Sequence, residues 1–142
     1  MISPDHLHPM LVHFPIAFVL LGFLAEVLSI FFRKQVNLNG FSYYLLIIGT
    51  FTSLIAVLTG SLFTSEMTGA AGDIKETHEV FAWLTVSLLL VTSLVRIVLK
   101  VKNKESSNLK WLALLLYGLS VVFVSITGFY GGTLVYNYMM PI

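Results

Sequence analysis

The run MLVHFPIAFVLLGFLAEVLSIFF, residues 10–32, decides the fold. It contains one histidine, one glutamate and no basic residue. At about 1.5 Å of rise per residue, its length reaches across a hydrocarbon core of roughly 30 Å. Three more runs of the same kind follow, at 41–64, 80–99 and 111–136. Backbone groups in lipid need internal partners, and these runs are too long and continuous for barrel strands, so each is expected to be a helix. The expected architecture is all-α: a four-helix transmembrane bundle in a single domain, 1–142, with helices at about 9–32, 41–64, 78–100 and 111–137.

Composition agrees. The chain has 142 residues, of which 57% are hydrophobic and 11% charged, and its mean hydropathy is +0.91. That is too apolar for a soluble globular domain. No signal peptide is expected, since Met1-Ile2-Ser3-Pro4-Asp5 carries no basic residue and the first run is too long for an h-region.

Charge sets the orientation. Of the eight basic residues all but Lys75 fall in or beside the loops after the first and third runs: Arg33, Lys34, Arg96, Lys100, Lys102, Lys104 and Lys110. The positive-inside rule therefore puts both termini of a multi-pass chain on the outer side, which is the periplasmic side of the inner (cytoplasmic) membrane if the source is bacterial. Asp5, Glu66, Asp73, Glu76 and Glu79 lie on the opposite side from most of the bases. A net charge of +1 with this asymmetry gives no reason to expect nucleic acid as a partner; membrane lipid is the expected surround.

All four histidines, His6, His8, His13 and His78, then sit near the outer face, at the entrances to the first and third helices. Pro9 suits a first helical position, placing His8 near the N-cap and His13 about one turn inside. Pro15 leaves the Leu11 carbonyl without its usual donor, which predicts a kink or local widening beside His13. Gly69 to Gly72 reads as loop, with Asp73 or Thr77 capping the third helix.

A short internal repeat suggests which histidines pair. Thr59-Gly60 and Thr127-Gly128 recur in the second and fourth runs, and His13 and His78 are each followed one turn later by alanine, Ala17 and Ala82. Two hairpins of one polarity related by an approximate two-fold along the membrane normal would make His13 and His78 equivalent and leave His8 accessory. Imidazoles facing each other across a bundle point first to a b-type heme held from both sides. Ala17, Ala82, Gly60, Gly128, Gly131 and Gly132 would leave room for the macrocycle. Phe14, Phe63, Phe81, Phe129 and Tyr130 would wall it, and His8 would bond a propionate.

Other chemistries stay open. His6, His8, His13 and His78 with Asp5, Glu76 or Glu79 supply donors for copper or zinc, and Met10 or Met139-Met140 add sulfur for Cu(I). His78-Glu79-Val80-Phe81-Ala82 opens like a zinc-protease helix, but Ala82 stands where the second histidine must be. A cysteine count of zero excludes covalent c-type heme, iron–sulfur clusters, disulfides and thiol nucleophiles. Interface histidines also serve structure alone, and small residues often serve only close helix packing.

Glu26 and Arg96 belong to the inner half. An unpaired carboxylate there costs about 2.5–3.5 kcal/mol at mid-membrane. An ion pair joining the first and third helices is the expected solution; the alternatives are a proton-accepting carboxylate serving a quinol or a proton path, and an Arg96 that snorkels to the inner headgroups.

The stretch His8-Pro9-Met10-Leu11-Val12-His13-Phe14-Pro15-Ile16-Ala17, a second hairpin opening on His78, and Gly131-Gly132-Thr133-Leu134-Val135-Tyr136 near the end resemble the bacterial membrane family catalogued as domain of unknown function 2231. The resemblance spans nearly the whole chain. It implies a four-helix inner-membrane protein of unassigned function, sometimes joined to cytochrome-like modules, and bears on His8, His13 and His78. With no such module appended here, electron transfer would need a separate partner.

The function expected from the sequence is therefore a b-type cytochrome-like membrane protein with His13 and His78 as axial ligands of heme b. It would be a non-catalytic subunit of a larger membrane protein complex, exchanging electrons with a periplasmic electron carrier or with quinone. The opposing expectation is a structural or partner-binding subunit without a cofactor, or a copper/zinc site protein.

Overall fold

A computed structural model describes residues 7–32, 37–104 and 108–138. The elements are α1 (Leu7–Leu11), α2 (His13–Phe31), α3 (Leu38–Phe63), α4 (Ala70–Val101) and α5 (Leu109–Tyr138). No strand occurs among the described residues. The spans His8–Phe31, Leu38–Phe63, Ala70–Val101 and Leu109–Tyr138 are each long and apolar enough to cross a membrane.

The break between α1 and α2 falls at Val12, whose backbone keeps helical angles. Pro15 has no N–H to offer Leu11, and the neighbouring Ile16 N–H reaches the Val12 carbonyl only at 3.5 Å. The expected kink is thus a one-residue widening inside a single span.

α4 starts earlier than the sequence suggests, at Ala70 and not near His78. Gly69, at φ 65°, turns the chain into the helix. Gly72 is already helical; a Cβ on it would lie 2.7 Å from the Met67 carbonyl oxygen. The glycines that read as loop are needed for a left-handed cap and a close backbone approach. Asp73 then falls in the first turn, where a carboxylate complements the helix dipole. His78 is consequently about two turns inside α4.

α2 packs along α3 and α4 along α5 as two hairpins, joined through α3 against α4 and α2 against α5. Val19, Leu46, Leu89, Tyr117 and Val124 form the shared core. Large apolar side chains such as Leu21, Phe51, Leu94 and Leu115 face outward, which in lipid carries no cost. Buried hydroxyls return to their own helices: Thr50 donates to Leu46, Thr92 to Leu88 and Ser120 to Leu116. Thr50 and Ser93 also bond each other across helices at 2.8 Å. Phe23 meets Tyr117 edge-on, with centroids 5.6 Å apart. The Tyr117 hydroxyl lies against Gly22 and has no hydrogen-bond partner among the described residues.

The internal repeat has a different register from the one suggested by Thr-Gly. Glu26 and Arg96, 70 residues apart, form a bidentate pair with Nη1–Oε1 2.9 Å and Nη2–Oε2 3.0 Å. The same shift of 70 carries buried Pro15, Val19 and Gly22 onto buried Thr85, Leu89 and Thr92. One residue more carries Ser42, Leu46, Gly49 and Ser53 of α3 onto Ala113, Tyr117, Ser120 and Val124 of α5, all of them buried. Equivalent residues that touch each other, as Glu26 and Arg96 do, lie at an approximate two-fold axis. This is the expected ion pair, extended by Asn39, whose Oδ1 accepts from Arg96 Nη2 at 2.7 Å.

Both partners are nearly inaccessible, Glu26 at 2% and Arg96 at 4%. Arg96→Met should therefore strand a buried carboxylate and cost about 3–5 kcal/mol, whereas Glu26→Leu with Arg96→Met should recover most of the loss. Reversible unfolding in mixed micelles measures both; equal stability of the single and double variants would contradict the pairing.

Candidate functional site

The end of the bundle away from Glu26 and Arg96 encloses a cavity of about 380 Å³, within the roughly 300–1,000 Å³ usual for cofactor sites. Every helix contributes to its lining. His8 and Val12 come from the first span, Ala56 and Gly60 from α3, Lys75, His78 and Ala82 from α4, and Thr127, Gly128, Gly131 and Gly132 from α5.

Two imidazoles dominate it. His8 and His78 face each other with ring centroids 6.3 Å apart and planes 82° from parallel. His8 Nδ1 donates to the Ala56 carbonyl at 3.0 Å, with Thr59 Oγ1 at 3.3 Å. His78 Nδ1 donates to the Thr127 carbonyl at 2.9 Å. A carbonyl only accepts, so in both rings the proton is on Nδ1 and the Nε2 lone pair is available. Among the described residues neither Nε2 has a hydrogen-bond partner.

The two halves build these positions in the same way. His8 and His78 obey the 70-residue shift of Glu26 and Arg96, and each hydrogen-bonds a carbonyl on the second helix of its own hairpin. Each ring also lies against a glycine one turn beyond that carbonyl. A Cβ on Gly60 would be 2.9 Å from His8 Cε1, and one on Gly131 would be 3.2 Å from His78 Cε1.

The expected pairing of His13 with His78 is not the one formed. His13 reaches the cavity's edge but is exposed and has no hydrogen bond among the described residues. At about 100° per residue, five residues separate His8 and His13 by roughly 140° around the helix, so one helix face cannot present both to the axis. The overlooked signal is the eighteen-residue interval from His8 to Glu26 and again from His78 to Arg96. It is about five whole turns, so a buried Glu26 brings His8 to the same face.

Other expected contributors are distributed differently. Ala82 lines the cavity, whereas Ala17 is exposed. None of Phe14, Phe63, Phe81, Phe129 and Tyr130 is part of the lining, which is walled instead by Val12, Ile16, Val86, Val124 and Leu134. Phe81 and Tyr130 stack on each other, with planes 17° apart. Glu79 joins the lining, but Glu76 and Met10 do not. His6, Asp5, Met139 and Met140 lie outside the described residues. Among the described residues, no three His, Cys, Asp or Glu side chains converge as a metal site.

Four membrane-capable helices around a paired-histidine cavity define the class as a polytopic helical membrane protein. Residues 4–141 match the family described as predicted membrane protein (DUF2231), and the chain belongs to that family. No curated protein and no solved structure matches it.

The hydrogen bonds predict tautomers. In ¹⁵N spectra of the imidazoles, His8 and His78 should appear predominantly as Nδ1–H tautomers. A dominant Nε2–H form at His8 or His78 would contradict the carbonyl contacts.

Proposed function

We propose that the cavity holds one b-type heme with His8 and His78 as axial ligands, and that the protein passes electrons as a subunit of a bacterial inner-membrane complex. The carrying observation is the facing pair of imidazoles, each fixed through Nδ1 with Nε2 left to ligate. The rings stand with centroids 6.3 Å apart, and His8 and His78 would hold the group through Nε2. Backbone carbonyls on Nδ1 are the usual outer partners of ligating histidines.

The rest of the cavity suits a flat apolar group. Gly60, Gly128, Gly131, Gly132 and Ala82 leave space at the rings, while Val86, Val124 and Leu134 exclude water. Heme, when bound, supplies one-electron chemistry; the chain supplies ligands, orientation and a low-dielectric wall. Among the described residues two imidazoles converge without a third His, Cys, Asp or Glu, a donor set that suits heme better than a four-coordinate copper or zinc site.

Orientation rests on charge. Lys100, Lys102, Lys104 and Lys110 cluster at the Glu26 end, and Lys100 Nζ caps the Tyr43 ring at 3.9 Å, an arrangement suited to a headgroup interface. The histidine cavity then opens toward the periplasm, within reach of a carrier there or of quinone in the outer leaflet.

The test is a reduced-minus-oxidised absorbance spectrum of protein purified after expression with ample heme. Bands of a six-coordinate b-type heme are expected; their absence sinks the reading. His8→Ala and His78→Ala should each abolish or alter the bands, and His13→Ala should leave them in place.

Topology is tested separately. The chain contains no native cysteine, so single cysteines can be read without background. Thr68→Cys should react with a membrane-impermeant maleimide in intact spheroplasts, and Lys104→Cys only after lysis. The reverse pattern would invert the orientation.

A further inference from the structure

Given the heme reading above, on which this inference rests, we infer that Lys75, held in the cavity wall one turn before His78, anchors a propionate carboxylate of that heme.

Lys75 lines the cavity, and its side chain is only 12% exposed. The residue stands three positions before His78 on α4, a spacing that puts both side chains on one helix face. The remaining lining is apolar or uncharged apart from the histidines and Glu79. Lys75 is therefore the one lysine or arginine among the described residues that line the cavity.

Its present partners leave capacity. Lys75 Nζ is 3.5 Å from Glu79 Oε1 and 3.6 Å from Glu66 Oε2, both longer than the roughly 2.7–2.9 Å of a strong charge-assisted hydrogen bond. An ammonium has three donors. The Glu66 side chain is 96% exposed and that of Glu79 53%, so both carboxylates can turn to water as another approaches. A largely enclosed ammonium with loose, solvated partners is suited to an amphipathic acid whose apolar body fills the cavity and whose carboxylate stays at its rim.

Because His8 bonds Ala56 through Nδ1 and faces His78, it is not free for the propionate role expected from the sequence. Lys75 takes over that role, and it extends the ligand class from a porphyrin to one bearing acidic side chains.

The test titrates the purified, heme-free full chain with hemin and with hemin dimethyl ester, in which the carboxylates are masked. Lys75→Met should weaken hemin binding about tenfold, as expected for one charge-assisted hydrogen bond, and leave binding of the diester unchanged. Lys75→Arg should restore hemin affinity, and the loaded variants should keep the wild-type ligation spectrum. Equal losses for both porphyrins, or none for hemin, would overturn the role of Lys75 while leaving histidine ligation in place. Failure of the wild-type chain to bind either would overturn both.

Discussion

A carboxylate and a guanidinium buried in the same apolar bundle constrain everything else in this molecule. Glu26 and Arg96 must meet with both oxygens and both nitrogens engaged, because either alone would be an uncompensated charge in a medium that hydrates nothing. Their contact joins the first helix of one hairpin to the first helix of the other. It also fixes the rotation of α2 and α4 about their axes, since five turns away the same faces carry His8 and His78. The geometry at one end of the bundle is thus set partly by an ion pair at the other.

Most of the fold was legible because lipid imposes a simple rule. A span must be apolar and long enough, and its backbone must satisfy itself, so four runs became four helices with little ambiguity. The widening at Val12 followed from Pro15, and the Glu26–Arg96 pair from the cost of either charge alone. The start of α4 was harder to read, because Gly69 and Gly72 have the composition of a loop whereas their function is to cap a helix and to admit the Met67 carbonyl.

Which end of the bundle carries the histidines was legible; which of them meet was not. Thr-Gly is too common a dipeptide to align two hairpins, and anchoring the repeat on it selected His13. Burial aligns them differently, and the alignment follows from helical periodicity once Glu26 is required to face inward. Lys75 was likewise visible only as an exception to the charge asymmetry; that its stem runs along the cavity wall depends on α4 beginning two turns earlier than its apolar run.

The two-fold relation between hairpins also governs which chemistry the axis can hold. On such an axis, identical halves would set like against like: histidine opposite histidine, and carboxylate opposite carboxylate. The first arrangement sets two uncharged rings side by side without repulsion, so the halves can remain alike there. The second would repel, and at that level the halves differ, Glu26 in one and Arg96 in the other. Having both hairpins in one chain lets a single axis be symmetric at one depth and complementary at another, which a pair of identical two-helix subunits could not achieve.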